Sequence, residues 1–147
     1  MKLWQKDKAS LVEVEKFTVG KDNELDIHLA PFDVLGSLAH TKMLESVGLL
    51  TKEELSLLEA ELKNIYQQIQ KGGFKLNEGV EDIHSQVELM LTEKLGDVGK
   101  KIHSARSRND QVLVDLKLFL RSEIEKLVGN TKDFFDLLIL QSEKYKD

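Results

Sequence analysis

The sequence has no cysteine, a single proline and only nine glycines in 147 residues. Without cysteine there are no disulfides and no thiolate metal sites, which fits a reducing compartment. Few prolines and glycines means few helix interruptions, so a mainly helical chain is expected. Sustained period-two alternation is missing, as are Asn-Gly and Asp-Gly hairpin signals, so strands are not expected. No apolar run approaches the roughly 18 residues that span a bilayer. The opening MKLWQKDKAS has no apolar signal segment. A formal net charge of −5 argues against non-specific nucleic-acid binding. No HExxH or other metal-ligand spacing occurs, so a metal site is not expected, and no P-loop, GxGxxG or nucleophile elbow is present. These absences point to a soluble cytoplasmic protein with no nucleic-acid or membrane partner.

What remains is 41% hydrophobic and 32% charged, a globular balance suited to one domain or a piece of a larger one. Residues 1 to 9 read as an irregular arm, with Trp4 as an anchor against its own domain or a second subunit. Ser10 and Glu13 suit a capping box for a short helix that Gly20 would end, and residues 21 to 30 read as a short helix or turn. Pro31 then opens a helix over about 31–47, with Gly48 just past its end. Thr51 and Glu54 form a second capping box. Leu55, Leu58, Leu62, Ile65 and Ile69 follow as one apolar stripe that ends at Gly72-Gly73. The short turn between these two helices implies antiparallel packing. Glu81 and Asp82 place negative charge at the start of another helix. Ile83, Val87, Leu91 and Leu95 set its inner face and Gly96 ends it. The segment 97 to 106 reads as a loop.

Ser107 and Asp110 read as the start of the last helix, which is apolar around most of its circumference from Val112 onward. Unbroken across Gly129, it would run about 38 residues, or roughly 57 Å. That exceeds what a compact chain of this length can surround, given a radius of gyration of about 15 Å. Such a helix requires neighbours on several sides, so the chain is expected to be a fragment, to assemble with other subunits, or both.

Chemistry concentrates in GKKIHSARSRND, residues 99 to 110. Lys100, Lys101, Arg106 and Arg108 against Asp110 make it cationic within an acidic chain. Forked guanidinium donors match carboxylate or phosphate, and backbone N–H groups at a helix start favour anions. Asn109 and Gln111 can orient an amide, a carboxylate or a guanidinium. The stretch suits a small, multiply charged anion. Equally, its arginines could pair with carboxylates of neighbouring helices while Ser107 merely caps. EDIHS, residues 81 to 85, carries Asp82 and His84 and could do acid–base work, or could be a capped helix start with a hydrogen-bonded histidine. His28 and His40 read as structural.

RSRNDQ, with EDIHS, LGDVGKKIHS, the segment FDVLGSLAHTKMLESVGLLTKEE and the early KLW, resembles the argininosuccinate lyases of the fumarase/aspartase superfamily, and the likeness runs over nearly the whole chain. The resemblance implies an all-α fold, in which an N-terminal helical domain (1–106) leads into the first long helix of a central bundle (107–147), incomplete here, that is shared by four chains in a homotetramer. It implies a carbon–nitrogen lyase of arginine biosynthesis that splits argininosuccinate into arginine and fumarate without a cofactor. Ser107, Arg108 and Asn109 would bind substrate; Arg106, Asp110, Gln111, Asp82 and His84 would support them. The catalytic serine loop, a histidine and a lysine of that family lie beyond residue 147, so no catalytic residue is expected in this segment and alone it should be inactive. Gly20, Asp22 and Asn23 are alternatives for the family's N-terminal substrate-binding serine, and Ala105 stands where the family often has glycine. Other readings are a sister lyase acting on adenylosuccinate or aspartate, and a crystallin-like structural or oligomerisation role on the same fold.

Overall fold

The computed structural model describes residues 17, 22–77 and 79–146. Trp4, the Ser10–Glu13 box and Gly20 fall outside these, as do the side chains of Asp22 and Asn23. The described residues form helices and no strands: α1 (Asp22–Asp26), a 3-10 turn (Ile27–Leu29), α2 (Ala30–Ser46), α3 (Lys52–Gln70), α4 (Ile83–Leu95), α5 (Asp97–Lys100), a second 3-10 turn (Lys101–His103) and α6 (Arg108–Lys144).

The helix ends follow the local chemistry. Pro31 lies in the first turn of α2, where no N–H partner is needed. At its other end Gly48 adopts φ +79°. The Gly48 N–H donates to the Glu45 carbonyl at 2.9 Å and the Leu49 N–H to the Leu44 carbonyl at 2.8 Å, closing two orphan carbonyls. Thr51 caps α3 with both bonds to Glu54 in place.

α2 packs most extensively on α3, and the Lys42–Glu59 ion pair joins them at 3.7 Å. α4 closes the other side. Leu44, Leu58, Leu62, Ile65, Ile83 and Leu91 are fully buried between these helices, a core of γ- and β-branched residues that drives the fold through apolar burial.

The segment 97–106 is not the simple loop that the sequence suggests. Gly96, at φ +62°, reverses the chain, and α5 folds back against α4. Gly99 permits this: a Cβ there would lie 2.4 Å from the Leu91 carbonyl oxygen. The second 3-10 turn then delivers Ile102 into the core, where it is 2% exposed. Ala105 follows at φ +58°, a left-handed conformation that costs an L side chain about 1–2 kcal/mol. Ala105→Gly is therefore expected to stabilise the chain by roughly 0.5–1 kcal/mol, net of the extra freedom of glycine when unfolded. A higher urea midpoint with an unchanged slope is the expected readout.

α6 runs unbroken for 37 residues through Gly129, about 55 Å. Among the described residues, its packing against the other helices is confined to the first third. Gly36 lets Val114 approach α2, and Phe32 meets Phe119 edge to face at 5.9 Å. Beyond Glu123 the helix is exposed: Leu127, Phe134 and Phe135 are each at least 60% accessible. No helix among the described residues is long and apolar enough to cross a membrane.

Candidate functional site

The N-termini of α4 and α6 lie side by side and are tied together by one carboxylate and one guanidinium. Asp82 caps α4 by accepting from the Ser85 N–H at 2.8 Å. The same side chain takes the Arg108 Nε at 3.2 Å. Arg108 also donates from Nη2 to the Ser85 hydroxyl at 3.0 Å. A forked cation from the first residue of α6 thus bridges two groups at the start of α4. Nη1 of Arg108 is buried without a hydrogen-bond partner.

Ser107 and Asp110 form a reciprocal capping box. The Asp110 carboxylate accepts from the Ser107 N–H at 2.8 Å and from its hydroxyl at 2.9 Å. These bonds hold the Asp110 carboxyl below its ordinary pKa. Ser107, Asn109 and Asp110 are all exposed, so an edge with an amide and a hydroxyl faces outward at the positive end of the α6 dipole.

Not every cation of the segment is available to a ligand. Lys100 pairs with Asp97 at 2.7 Å and Lys101 with Glu54 at 2.6 Å. His103 lies 3.9 Å from Glu88. Arg106 turns inward, donates to the Ser37 hydroxyl at 3.2 Å and keeps a buried Nε without a partner. Burial lowers its pKa, while Asp33 and Asp115 act in the opposite direction. Gln111 is 6% exposed, with its Oε1 buried and unpartnered. Of the two arginines, Arg108 thus pairs with a carboxylate of a neighbouring element while Arg106 bonds a hydroxyl, and the outward donors reduce to Ser107, Asn109 and the partly exposed Arg108.

His84 departs furthest from a surface acid–base group. It is 3% exposed, with Nδ1 2.8 Å from Asp33 Oδ1 and 3.6 Å from Asp115 Oδ2. Burial opposes charge on the ring, but the hydrogen bond to Asp33 and the charges of Asp33 and Asp82 outweigh it, and its pKa is raised. His40 donates from Nε2 to the Ser104 carbonyl at 2.8 Å, tying α2 to the turn before Arg106. His28 sits exposed in the first 3-10 turn.

Asp33 and Asp115 were not singled out from sequence. The available signal was an aspartate set among core-spaced apolar residues in each helix, next to Val34 and Val114. With His84 they place three donor atoms within 4.8 Å of one another, a set that would suit a small cation by type. The Arg106 guanidinium acts on both carboxylates and supplies the positive charge that they call for.

The comparisons agree with this architecture. A family described as Lyase matches residues 6–147. The chain is 64% identical over 146 residues to the argininosuccinate lyase of Parabacteroides distasonis, covering 99% of this chain and 33% of that protein. It is 62% identical over 146 residues to that of Bacteroides thetaiotaomicron, with the same coverage. The similarity to the argininosuccinate lyase of Thermotoga neapolitana is 44% over 126 residues, 86% of this chain and 32% of that one. The chain thus spans about a third of the length of these curated relatives.

Proposed function

The chain belongs to the lyase family matched over residues 6–147, and from that premise we propose that it forms one wall of an active site that splits argininosuccinate into arginine and fumarate. The observation that carries this reading is the outward edge Ser107–Asn109 on RSRNDQ, fixed in place by the Arg108 bonds to Asp82 and Ser85. The elimination removes a proton from the carbon beside a carboxylate, and the carbanion delocalises into that carboxylate before the C–N bond breaks. Charge therefore grows on carboxylate oxygens, where preorganised donors act most strongly. The Asn109 amide and the Arg108 guanidinium are donors of that kind, the Ser107 hydroxyl joins them by turning its hydrogen from Asp110 to the substrate, and none of them needs a cofactor. Arg106, Asp110, Gln111, Asp82 and His84 act through them: Asp110 and Asp82 fix the two helix starts, while Arg106, Gln111 and His84 fill the space behind. By resemblance, the groups that move the proton lie beyond residue 147, so residues 1–147 alone are expected not to turn over.

The exposed apolar length of α6, with Leu127, Phe134 and Phe135 outward, supports burial in a helical bundle shared by four chains, in a homotetramer of the cytoplasm. In that reading residues 1–106 form the outer helical domain and 107–147 the first bundle helix.

A chimera tests the assignment. Residues 1–147 would replace the matching third of the Parabacteroides distasonis enzyme, and fumarate release would be followed by ultraviolet absorbance. Turnover of argininosuccinate is expected. Arg108→Ala and Asn109→Ala in the chimera should each lower kcat about 100-fold with helix content retained. A folded chimera without activity would sink the assignment, and near-normal kinetics in the two variants would sink the roles of these residues.

A further inference from the structure

Three helices meet at buried ionisable side chains. Asp33 on α2, His84 on α4 and Asp115 on α6 are 1%, 3% and 1% exposed. The imidazole Nδ1 is 2.8 Å from Asp33 and 3.6 Å from Asp115. The second oxygen of Asp33 and the nearer oxygen of Asp115 are buried and have no hydrogen-bond partner. Arg106, from the segment ahead of α6, acts on both carboxylates. Two carboxylates and one guanidinium, with a neutral imidazole, leave a net charge of −1 in the interior. One added proton brings the set to zero, and a second brings it to +1. Burial of an uncompensated charge is strongly unfavourable, so the one-proton state is favoured.

We propose that His84 and Asp115 share one exchangeable proton near neutral pH, and that Asp33, His84, Asp115 and Arg106 together form a proton-loaded clasp joining α2, α4 and α6. The inference is independent of the proposed lyase activity.

The surrounding charges fit this assignment. Asp26 adds negative potential at Asp115. Asp82 and Arg108 both act on His84 but are themselves paired, so their effects oppose one another. Glu88 and Arg108 act on Arg106. A cavity of about 100 Å³ adjoins the clasp and is lined by Asp115, Arg106, Gln111, His40 and Asp110, with Gly36 and Val114. It can hold several waters, each needing roughly 10–15 Å³ of such space. Asp115 therefore has a wet route for proton exchange.

Burial, reinforced by the charge of Asp33, raises the Asp115 pKa to about 7, against the opposing pull of His84 and Arg106. The His84 pKa is raised as well. Both folded-state values exceed their unfolded ones, so between pH 4 and neutrality these two groups together bind more protons in the folded chain than in the unfolded one. The stabilisation is present at the acid end of that window and is lost as pH rises through it. The two groups should titrate as a pair, with apparent values that belong to neither alone.

Two measurements on the full chain test the clasp. In ¹⁵N-resolved NMR, with the His84 signal assigned by His84→Gln, the Nδ1 resonance should titrate in two steps spanning neutral pH. A single ordinary step near pH 6.5, as for an exposed imidazole, would overturn the proposal. In thermal unfolding, Tm should fall by roughly 5–10 °C between pH 5 and pH 8. Asp115→Asn, which resembles the protonated carboxyl in shape, should flatten most of that slope. An undiminished slope in the variant would also overturn it. Should Asp115→Asn not fold, the NMR titration of the unaltered chain decides alone.

Discussion

Gly99→Ala should cost about 3 kcal/mol of folding stability, at the upper end for an added methyl in a packed interior. The added Cβ would sit 2.4 Å from the Leu91 carbonyl oxygen, 2.5 Å from its carbon and 2.6 Å from the Thr92 nitrogen. All three are backbone atoms of α4, so no rotamer change relieves the clash. α5 would have to lift away, drawing Ile102 out of the core and shifting the turn that carries Ala105 and Arg106. Gly36→Ala is the control, because its Cβ would meet side chains rather than backbone: Asp115 Oδ1 at an ordinary 3.5 Å and, more tightly, Val114 Cγ1 at 3.2 Å. That contact can yield, and a loss under about 1.5 kcal/mol is expected. Urea titrations of both variants provide the comparison. Equal midpoints would show that α5 does not pack on α4 as closely as described.

Arg106→Leu should cost about 3 kcal/mol at pH 8, the usual consequence of leaving buried charge without its partner. Asp33 and Asp115 would face each other and His84 with no guanidinium. The loss should shrink towards pH 5.5, where a second proton on the His84–Asp115 pair can replace the missing cation. The direction follows from both groups having raised pKa values: protonation stabilises the fold on the acid side and is lost on the alkaline side. Denaturant midpoints at the two pH values give the answer. A larger loss at pH 5.5 would contradict the charge accounting.

Helix order was legible from the sequence because its signals are local. Thr51 with Glu54 and Ser107 with Asp110 each form the capping box that their spacing implies. Gly48 and Gly72 adopt the positive φ expected just beyond a helix. The segment 97–106 was less legible, since what folds it is Gly99 meeting the backbone of Leu91, a long-range fit that leaves no periodic trace. The site divided along the same line. Asp82 and Ser107 were legible as caps because each bonds within its own helix start, whereas Arg108 reaches across to Asp82 and Ser85 of α4, a partnership that spacing does not reveal. Asp33 and Asp115 escaped notice because each is a lone polar residue on an apolar stretch, and its partners come from other helices.

The length of α6 has a mechanical consequence. Among the described residues the helix is gripped between Arg108 and Phe119, while about 25 further residues extend for roughly 37 Å. It is a lever with its fulcrum beside the candidate site. A tilt of about 1.5° at Gly36 and Phe32 would displace the far end by about 1 Å. Any surface that fits the apolar tip thereby constrains the geometry at the fulcrum, and a small repacking there would appear at the tip as misalignment.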